Sequence, residues 1–411
     1  MKHKRILFIS QTALGSSPTN RYVQLCSYLS EQGYAPTLFF VAKGKDKGDG
    51  AVHYPRTIGA VRIFSTPAIP EVLLGKPNPL KSALTGLFLV ATCLPLLVVH
   101  CLRAQLVHLG KPLPFGAFTT LLATTLTRRK LIIDLDDWEG VGGFATVKQG
   151  GNAFAKAVIT FFEEWLPVRA DGVVVVSALL AQRVALSNVP PERIHYIPNG
   201  ADIQKFSPTL SGKPIREQYG LSDVPVLAYL GTFKPGGANW QFIMDVFACV
   251  AREHSQAMLM IIGFGPQLEQ AREYARSLDI VHRICFTGRV EHNDVPRYLA
   301  AADLYILPYS DEFPDTFINL GRSSLKLYEY MAMGKPVVAS NLGELRESLQ
   351  DERGILVDGT KPAPFGAAII KLLQDPHHMA RLGNRARQAT EEIYNYRSLA
   401  LKLAKVYESI A

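Results

Sequence analysis

Charge is sparse in this 411-residue chain and cysteine sparser: 19% of its residues are Asp, Glu, Lys or Arg, and 5 are cysteine. Cys26, Cys93, Cys101, Cys249 and Cys285 are scattered among apolar neighbours, with no C-x-x-C pair and no Cys/His ligand spacing. That argues against a disulfide framework or a structural zinc site and predicts reduced core thiols in a cytoplasmic protein. No internal repeat or low-complexity tract stands out, which argues against a solenoid or a disordered chain. The amino terminus, MKHKRILFIS, is basic, but its apolar run is short and turns polar at Gln11 and Thr12, as a first buried strand does. No secretion signal is expected.

What is present is enough apolar residue, 48%, for two globular domains with real cores. The net charge of +8 is uneven. Residues 1–130 hold 16 basic residues against 4 acidic, an excess that draws that half toward an anionic surface or acceptor. Nucleic acid is not the expected anion, because the basic residues are not interleaved with aromatics and no binding motif is recognised. Residues 82–102 carry no charge for 21 positions. That length suffices to span a bilayer, but Pro95 should interrupt it and residues 105–108 resume as a strand, so a core or membrane-surface helix is expected.

Short apolar strands alternate with helical patterns through residues 5–40, 105–108, 131–135 and 172–177, and again through 226–231, 258–262, 284–287, 304–307 and 336–339. That alternation predicts an α/β protein with parallel sheets. The Pro- and Gly-rich stretch 189–208 reads as the crossover between two domains, and residues 375–410 read as helical.

Residues 323–340, SSLKLYEYMAMGKPVVAS, are the most informative stretch. Ser323 or Ser324 caps a predicted helix over 325–333, Gly334 supplies its left-handed stop, and 336–340 is a buried strand. Free amides at the helix start suit a pyrophosphate. Glu329 lies one turn beyond Leu325 on the same face, where a carboxylate can accept both hydroxyls of a ribose. The pattern also describes an ordinary capped helix with a solvated glutamate.

The run from Glu329 through Gly334 and Pro336 to Ser340, followed by Gly343 and Glu344, resembles the donor-site signature of the large retaining glycosyltransferase family with the GT-B fold, the family 4 type or glycosyl transferases group 1. Residues 197–202, Ile-Pro-Asn-Gly-Ala-Asp, resemble its inter-domain signature. The resemblance implies two Rossmann-like domains with parallel sheets facing across a cleft. Residues 1–190 would bind the acceptor, 191–385 the nucleotide sugar, and 386–411 would form a carboxy-terminal helix crossing back to the first domain.

On the donor side the resemblance implies Gly231, Thr232 and Lys234 in a glycine-rich loop, Gly263 in the turn Gly263-Phe264-Gly265-Pro266, and Arg289 with Val290 at the base. Ser324, Leu325 and Lys326 would hold the pyrophosphate and Glu329 the ribose. A dinucleotide fingerprint at Gly263 fails at its third glycine, which is Leu268. The family's arginine after the first glycine and its following lysine are Thr232 and Gly237 here, so Lys234 or Lys326 takes over the phosphate. Its first glutamate is Gly321 here, with polar side chains in residues 310–315 and Asn319 as substitutes.

In the first half Asp134, Asp136, Asp137 and Glu139 end a strand together. A D-x-D motif there would suggest a divalent metal, but by placement the loop resembles the family's cleft loop, making Asp136 and Asp137 candidate catalytic residues beside Lys326. Gly15, Ser16 and Arg21 correspond to an acceptor-side loop, and His108 is a structural histidine. The reading is a hexosyltransferase-like enzyme moving a sugar from a nucleotide diphosphate donor to a glycan or lipid-linked acceptor in cell-envelope polysaccharide or glycoconjugate synthesis. It implies retention, no cofactor and no obligatory metal, at the inner face of the cytoplasmic membrane. The alternatives are a non-catalytic nucleotide-sugar-binding protein of this fold, or a same-fold sugar-nucleotide epimerase.

Overall fold

Short runs rich in Val, Ile and Leu, apolar at successive positions, form strands covered on both faces, and helices between them give parallel pairing. A computed structural model describes residues 4–12, 14, 16–40, 56–65, 79–143, 153–234, 239–309, 323–358 and 361–410. The chain divides into one unit of Met1–Asn199, Leu320–Ser323 and Tyr396–Ala411, and a second of Gly200–Asn319 and Ser324–Asn395.

The first unit contains β1 (Lys4–Ser10), β2 (Tyr34–Phe40), β3 (Arg56–Ile58), β4 (Val61–Ser65), β5 (Leu106–Gly110), β6 (Lys130–Leu135), β7 (Gly172–Val175) and β8 (Ile194–Tyr196). They form one sheet in the order β3-β4-β2-β1-β5-β6-β7-β8, parallel except for the β3–β4 pair. Helix α1 (Ser17–Glu31) and the carboxy-terminal helix Tyr396–Ile410 cover the face that carries Ile6 and Phe8. Helices α2 (Pro79–Arg103) and α3 (Pro114–Thr127) lie on the other face, where α2 buries Cys93, Leu97 and Cys101 with Leu7 and Ile9.

Pro95 does not interrupt α2 as expected; the helix runs on through it. Pro95 is exposed, so the one missing N–H costs no buried partner, and packing against α3 holds both halves in line. The helix is one-sided. Its apolar stretch Leu84–Arg103 is only 22% buried, and Leu84, Leu87, Leu96, Val99 and Leu102 face outward.

The second unit holds β9 (Val226–Leu230), β10 (Met258–Ile262), β11 (Ile284–Gly288), β12 (Leu304–Leu307), β13 (Val337–Ser340) and β14 (Ile355–Val357) in a parallel sheet of order β11-β10-β9-β12-β13-β14. The strands are buried among flanking helices in one hydrophobic core.

The division falls at Asn199, later than the expected 190, because β8 pairs in parallel with β7 and extends the first sheet. The returning segment starts at Tyr396 rather than 386, since the helix Pro376–Glu392 packs on the Leu325–Ala332 helix within the second unit. Strands β3, β4, β8 and β14 were not anticipated: β3, β8 and β14 have 3 residues each, and β4 carries Arg62 within it, so none stands out as an apolar run. All five cysteines are free; four are buried and Cys249 is half-buried.

Candidate active site

In the second unit the strands point the same way, so the turns after β9, β10, β11 and β12 gather at one edge of the sheet, where ligands of open parallel sheets bind. Two of these turns interlock. The Gly231 amide donates to the Ile262 carbonyl at 3.0 Å, and Phe233 N–H to the Phe264 carbonyl at 2.9 Å. A Cβ at Gly263 would come within 1.8 Å of the Gly231 carbonyl oxygen, and one at Gly265 within 2.1 Å of the Phe233 oxygen. Only glycine permits that approach.

The Leu325–Ala332 helix starts at this edge. Leu230 N–H donates to the Tyr330 hydroxyl at 2.6 Å and the Tyr330 ring stacks on Tyr305 at 4.3 Å, which fixes the helix to the end of β9 and to β12. Ser340 Oγ accepts from Tyr309 N–H at 2.8 Å and donates to the Tyr309 carbonyl at 2.7 Å, clamping the end of β12 to β13. Ser324 is the N-cap residue, yet its hydroxyl makes no capping bond and lies 3.4 Å from the Tyr309 hydroxyl. The Ser324 side chain thus leaves the positive end of the helix uncapped.

Lys326 reaches over the glycine turn. Its Nζ lies 3.3 Å from the Tyr229 hydroxyl and would lie 3.0 Å from a Cβ at Gly231. One turn on, Glu329 is 9% exposed, and among the described residues its carboxylate accepts no hydrogen bond. Burial pushes its pKa up to about 7, against the pull of the Lys205 and Lys326 ammonium groups. Lys205 is held by Asp202, whose Oδ1 accepts the Gln204 and Lys205 amides at 3.0 and 3.1 Å, and its Nζ donates to Asn293 Oδ1 at 3.1 Å. Arg289 is exposed with its guanidinium 5.0 Å from the Phe264 ring centroid, and Val290 beside it is half-buried.

The structure therefore brings together Gly231, Gly263, Ser324, Leu325, Lys326 and Glu329. Of the two lysine candidates it sets Lys326 over the turn, whereas Lys234 and Thr232 are exposed. Residues 310–315, Asn319, Gly321, Gly237 and Gly15 lie outside the described residues. Lys205 was missed by sequence reasoning because 124 residues separate it from Glu329; the signal that points to it is Asp202, the last residue of the Ile197–Asp202 motif, whose side chain orders the turn.

In the first unit, β6 leads into the acidic loop. Lys111, at the end of β5, is buried with its Nζ 3.3 Å from Asp136 Oδ1, 3.3 Å from Asp137 Oδ2 and 2.8 Å from Glu139 Oε1. Burial raises the Asp136 pKa to about 7, with Lys111 opposing and Asp137 reinforcing the shift. Asp137 is half-buried and more accessible. Glu163 grips the loop from below: its carboxylate accepts the Glu139 and Gly140 amides at 2.7 and 2.5 Å, while Thr160 Oγ1 accepts Val141 N–H at 2.8 Å. Neither Lys111 nor Glu163 carries a sequence signal that singles it out.

Of the D-x-D stretch, Asp134 is engaged inside the first unit rather than at the loop surface. It is fully buried, paired with Arg21, and 3.1 Å from His108 Nε2. No group of three metal-binding side chains forms among the described residues. The assignment of Arg21 to the acceptor side is corrected: it is 1% exposed and spent on Asp134 and on the Ile197 carbonyl at 2.9 Å. Ser16 donates to Thr12 and Thr19 hydroxyls at 3.0 and 3.2 Å.

Residues 224–375 match the family model described as Glycosyl transferases group 1, and residues 18–200 the one described as Glycosyl transferase 4-like domain. The GDP-mannose-dependent alpha-(1-6)-phosphatidylinositol monomannoside mannosyltransferase of Mycolicibacterium smegmatis is 28% identical over 239 residues, 58% of this chain and 62% of that protein. The chain thus spans less than two thirds of that relative's length in the match. Among solved structures, sucrose-phosphate synthase from Thermosynechococcus elongatus superposes with a TM-score of 0.74 at 21% identity, covering 99% of each chain. HepE of Anabaena, solved in complex with UDP, gives 0.70 at 17% identity, covering 98% of this chain and 100% of its own. At these identities the likeness concerns the fold, which is GT-B.

Proposed function

The chain belongs to the glycosyl transferases of group 1, and from that premise we propose that it moves a sugar from a nucleoside diphosphate donor to a glycan or lipid-linked acceptor. The observation that carries the reading is the buried Glu329 carboxylate, which accepts no hydrogen bond among the described residues, one turn beyond a helix start whose Ser324 side chain makes no capping bond, with Lys326 between them. The amides of Ser324 and Leu325 and the Lys326 ammonium take the diphosphate, Glu329 takes the ribose hydroxyls, and Arg289 with Val290 lies against the base. Negative charge grows on the diphosphate as the glycosidic bond breaks, and oriented amides plus a lysine stabilise it there.

Retention at the anomeric carbon and independence from a metal belong to the same proposal. Lys326 supplies the cation at the diphosphate, and the Lys111 ammonium sits among the carboxylates that a divalent ion would otherwise neutralise. Asp136 and Asp137 serve the acceptor. A carboxyl pushed to about 7 is poised to exchange a proton near neutral pH. The outward apolar face of α2 and the basic excess of residues 1–130 support a peripheral position at the inner face of the cytoplasmic membrane, in envelope polysaccharide or glycoconjugate synthesis.

The test is calorimetric titration of UDP-, GDP-, ADP- and dTDP-sugars into wild type and Glu329→Ala, with released nucleotide assayed in parallel. One donor class should bind wild type selectively, and the variant should bind it about 1 to 3 kcal/mol more weakly, the usual loss of hydrogen bonds to a charged group. Wild-type affinity should rise as pH passes upward through about 7, because the ionised carboxylate is the acceptor, and Glu329→Gln should show no such rise. Equal affinity in wild type and Glu329→Ala removes the assignment. Binding without nucleotide release in the presence of acceptor glycans leaves a nucleotide-sugar-binding protein.

A further inference from the structure

At the amino-terminal edge of the first sheet lies a groove of about 1060 Å³, between the starts of β1 and β2, β4 and the end of α2. Side chains alternate along a strand, so Arg5 shares the face of Leu7 and Ile9, and Arg62 that of Phe64. This is the face covered by α2, whose last turn brings His100 and Arg103 to the same groove, with the His100 ring 4.6 Å from Phe64. Three guanidinium groups therefore line one opening. Among the described residues no carboxylate lines it, and none of Arg5, Arg62 and Arg103 makes an ion pair or side-chain hydrogen bond. His100 is held below its ordinary pKa by burial and by Arg103, so near neutrality it is an uncharged hydrogen-bonding group.

The groove adjoins the outward stripe of α2, where Leu102 is 58% exposed immediately before Arg103, with Val99, Leu96 and Leu87 following back along the helix. An apolar helix face ending in a groove lined by three exposed arginines is complementary to one occupant, a molecule with a phosphate at one end and hydrocarbon at the other. We propose that this groove binds the phosphate-bearing headgroup of an anionic membrane lipid while the outward face of α2 enters the acyl region. The site is separate from the sugar-nucleotide edge. It rests on the membrane-surface part of the proposed function and not on the transfer chemistry.

The experiment is co-sedimentation of the full chain with phosphatidylcholine vesicles with and without phosphatidylglycerol. Wild type should bind the anionic vesicles, and Arg5→Gln/Arg62→Gln/Arg103→Gln should bind them about a hundredfold more weakly. Leu87→Gln/Leu102→Gln should also lose binding, whereas Arg252→Gln/Lys371→Gln/Lys402→Gln, with the same net charge but exposed positions elsewhere, should retain it. Far-UV circular dichroism and the urea midpoint, which report on the first unit as well as the second, serve as the folding control for every variant. Wild-type binding by the triple arginine variant overturns the groove while leaving the membrane reading intact. Equal loss in the charge-matched control overturns it in favour of unspecific attraction. Wild type that ignores vesicles but binds inorganic phosphate overturns the lipid in favour of a soluble anion, and binding neither overturns the site altogether.

Discussion

Replacing Asp134 with alanine should remove about 3 to 5 kcal/mol of folding stability, the cost of stranding one charge of a buried pair. Asp134 is fully buried against the Arg21 guanidinium, which is itself 1% exposed. Burial by itself would raise the Asp134 pKa, but Arg21 and His108 outweigh it and hold the carboxyl below its ordinary value of 3.8. Burial lowers the His108 pKa despite Asp134, so the ring is neutral at pH 7. With Nε2 donating to the carboxylate, Nδ1 is left to accept the Tyr407 hydroxyl at 3.0 Å. Arg21 on α1, Asp134 on β6, His108 on β5 and Tyr407 on the carboxy-terminal helix thus share one network, so the loss is felt across the first unit.

Urea denaturation followed by circular dichroism reads that loss as a lower midpoint. Because the folded pKa is depressed, the carboxylate's contribution is complete above about 3.8 and disappears as pH falls through the folded value. The gap between wild type and Asp134→Ala should therefore narrow in acid. Arg21→Met/Asp134→Leu, which removes both charges and keeps the volume apolar, should recover most of the stability. A midpoint for Asp134→Ala equal to wild type at pH 7 would mean that the pair does not hold the unit together.

The second large effect is on turnover. Lys326→Ala should lower kcat about 10²- to 10³-fold, the range seen when a group stabilising developing negative charge is removed, with a smaller change in KM for the donor. The ammonium over the Gly231 turn meets a diphosphate whose charge increases only as the sugar leaves, so most of its effect belongs to the transition state. Lys326→Arg should keep part of the rate, since the charge survives in a broader group. The measurement is released nucleotide under saturating donor. An unchanged kcat in Lys326→Ala, with the donor bound normally, would assign the leaving-group charge to another residue.

The helix and strand around Glu329 were legible from the glycine stop and the apolar run after it, although the expected Ser324 cap makes no capping bond. Gly334 takes φ +68 past the helix end and the helix runs Leu325–Ala332, within one residue of the expected 325–333. The glycine turns at Gly231 and Gly263 were also visible, as loops after apolar runs. Arg21 was misread because a sequence position at a loop says nothing of where a long side chain points. Placed on the inner face of α1 above the end of β6, it meets Asp134 and is lost to solvent. Pro95 was misread for the converse reason: the local rule is real, but a single absent N–H on an exposed helix face is outweighed by packing on α3.

By itself the sequence determined the α/β class and the helix that pairs Lys326 with Glu329, because periodicity, turn residues and helix spacing are properties of neighbours in the chain. Tertiary structure decided the rest. Lys205 beside Glu329, Lys111 among Asp136, Asp137 and Glu139, Glu163 beneath the acidic loop, and the three arginines around one groove are all partners distant along the chain. Their ionisation and exposure depend on burial and on charges that only folding brings together, and no local pattern encodes that meeting.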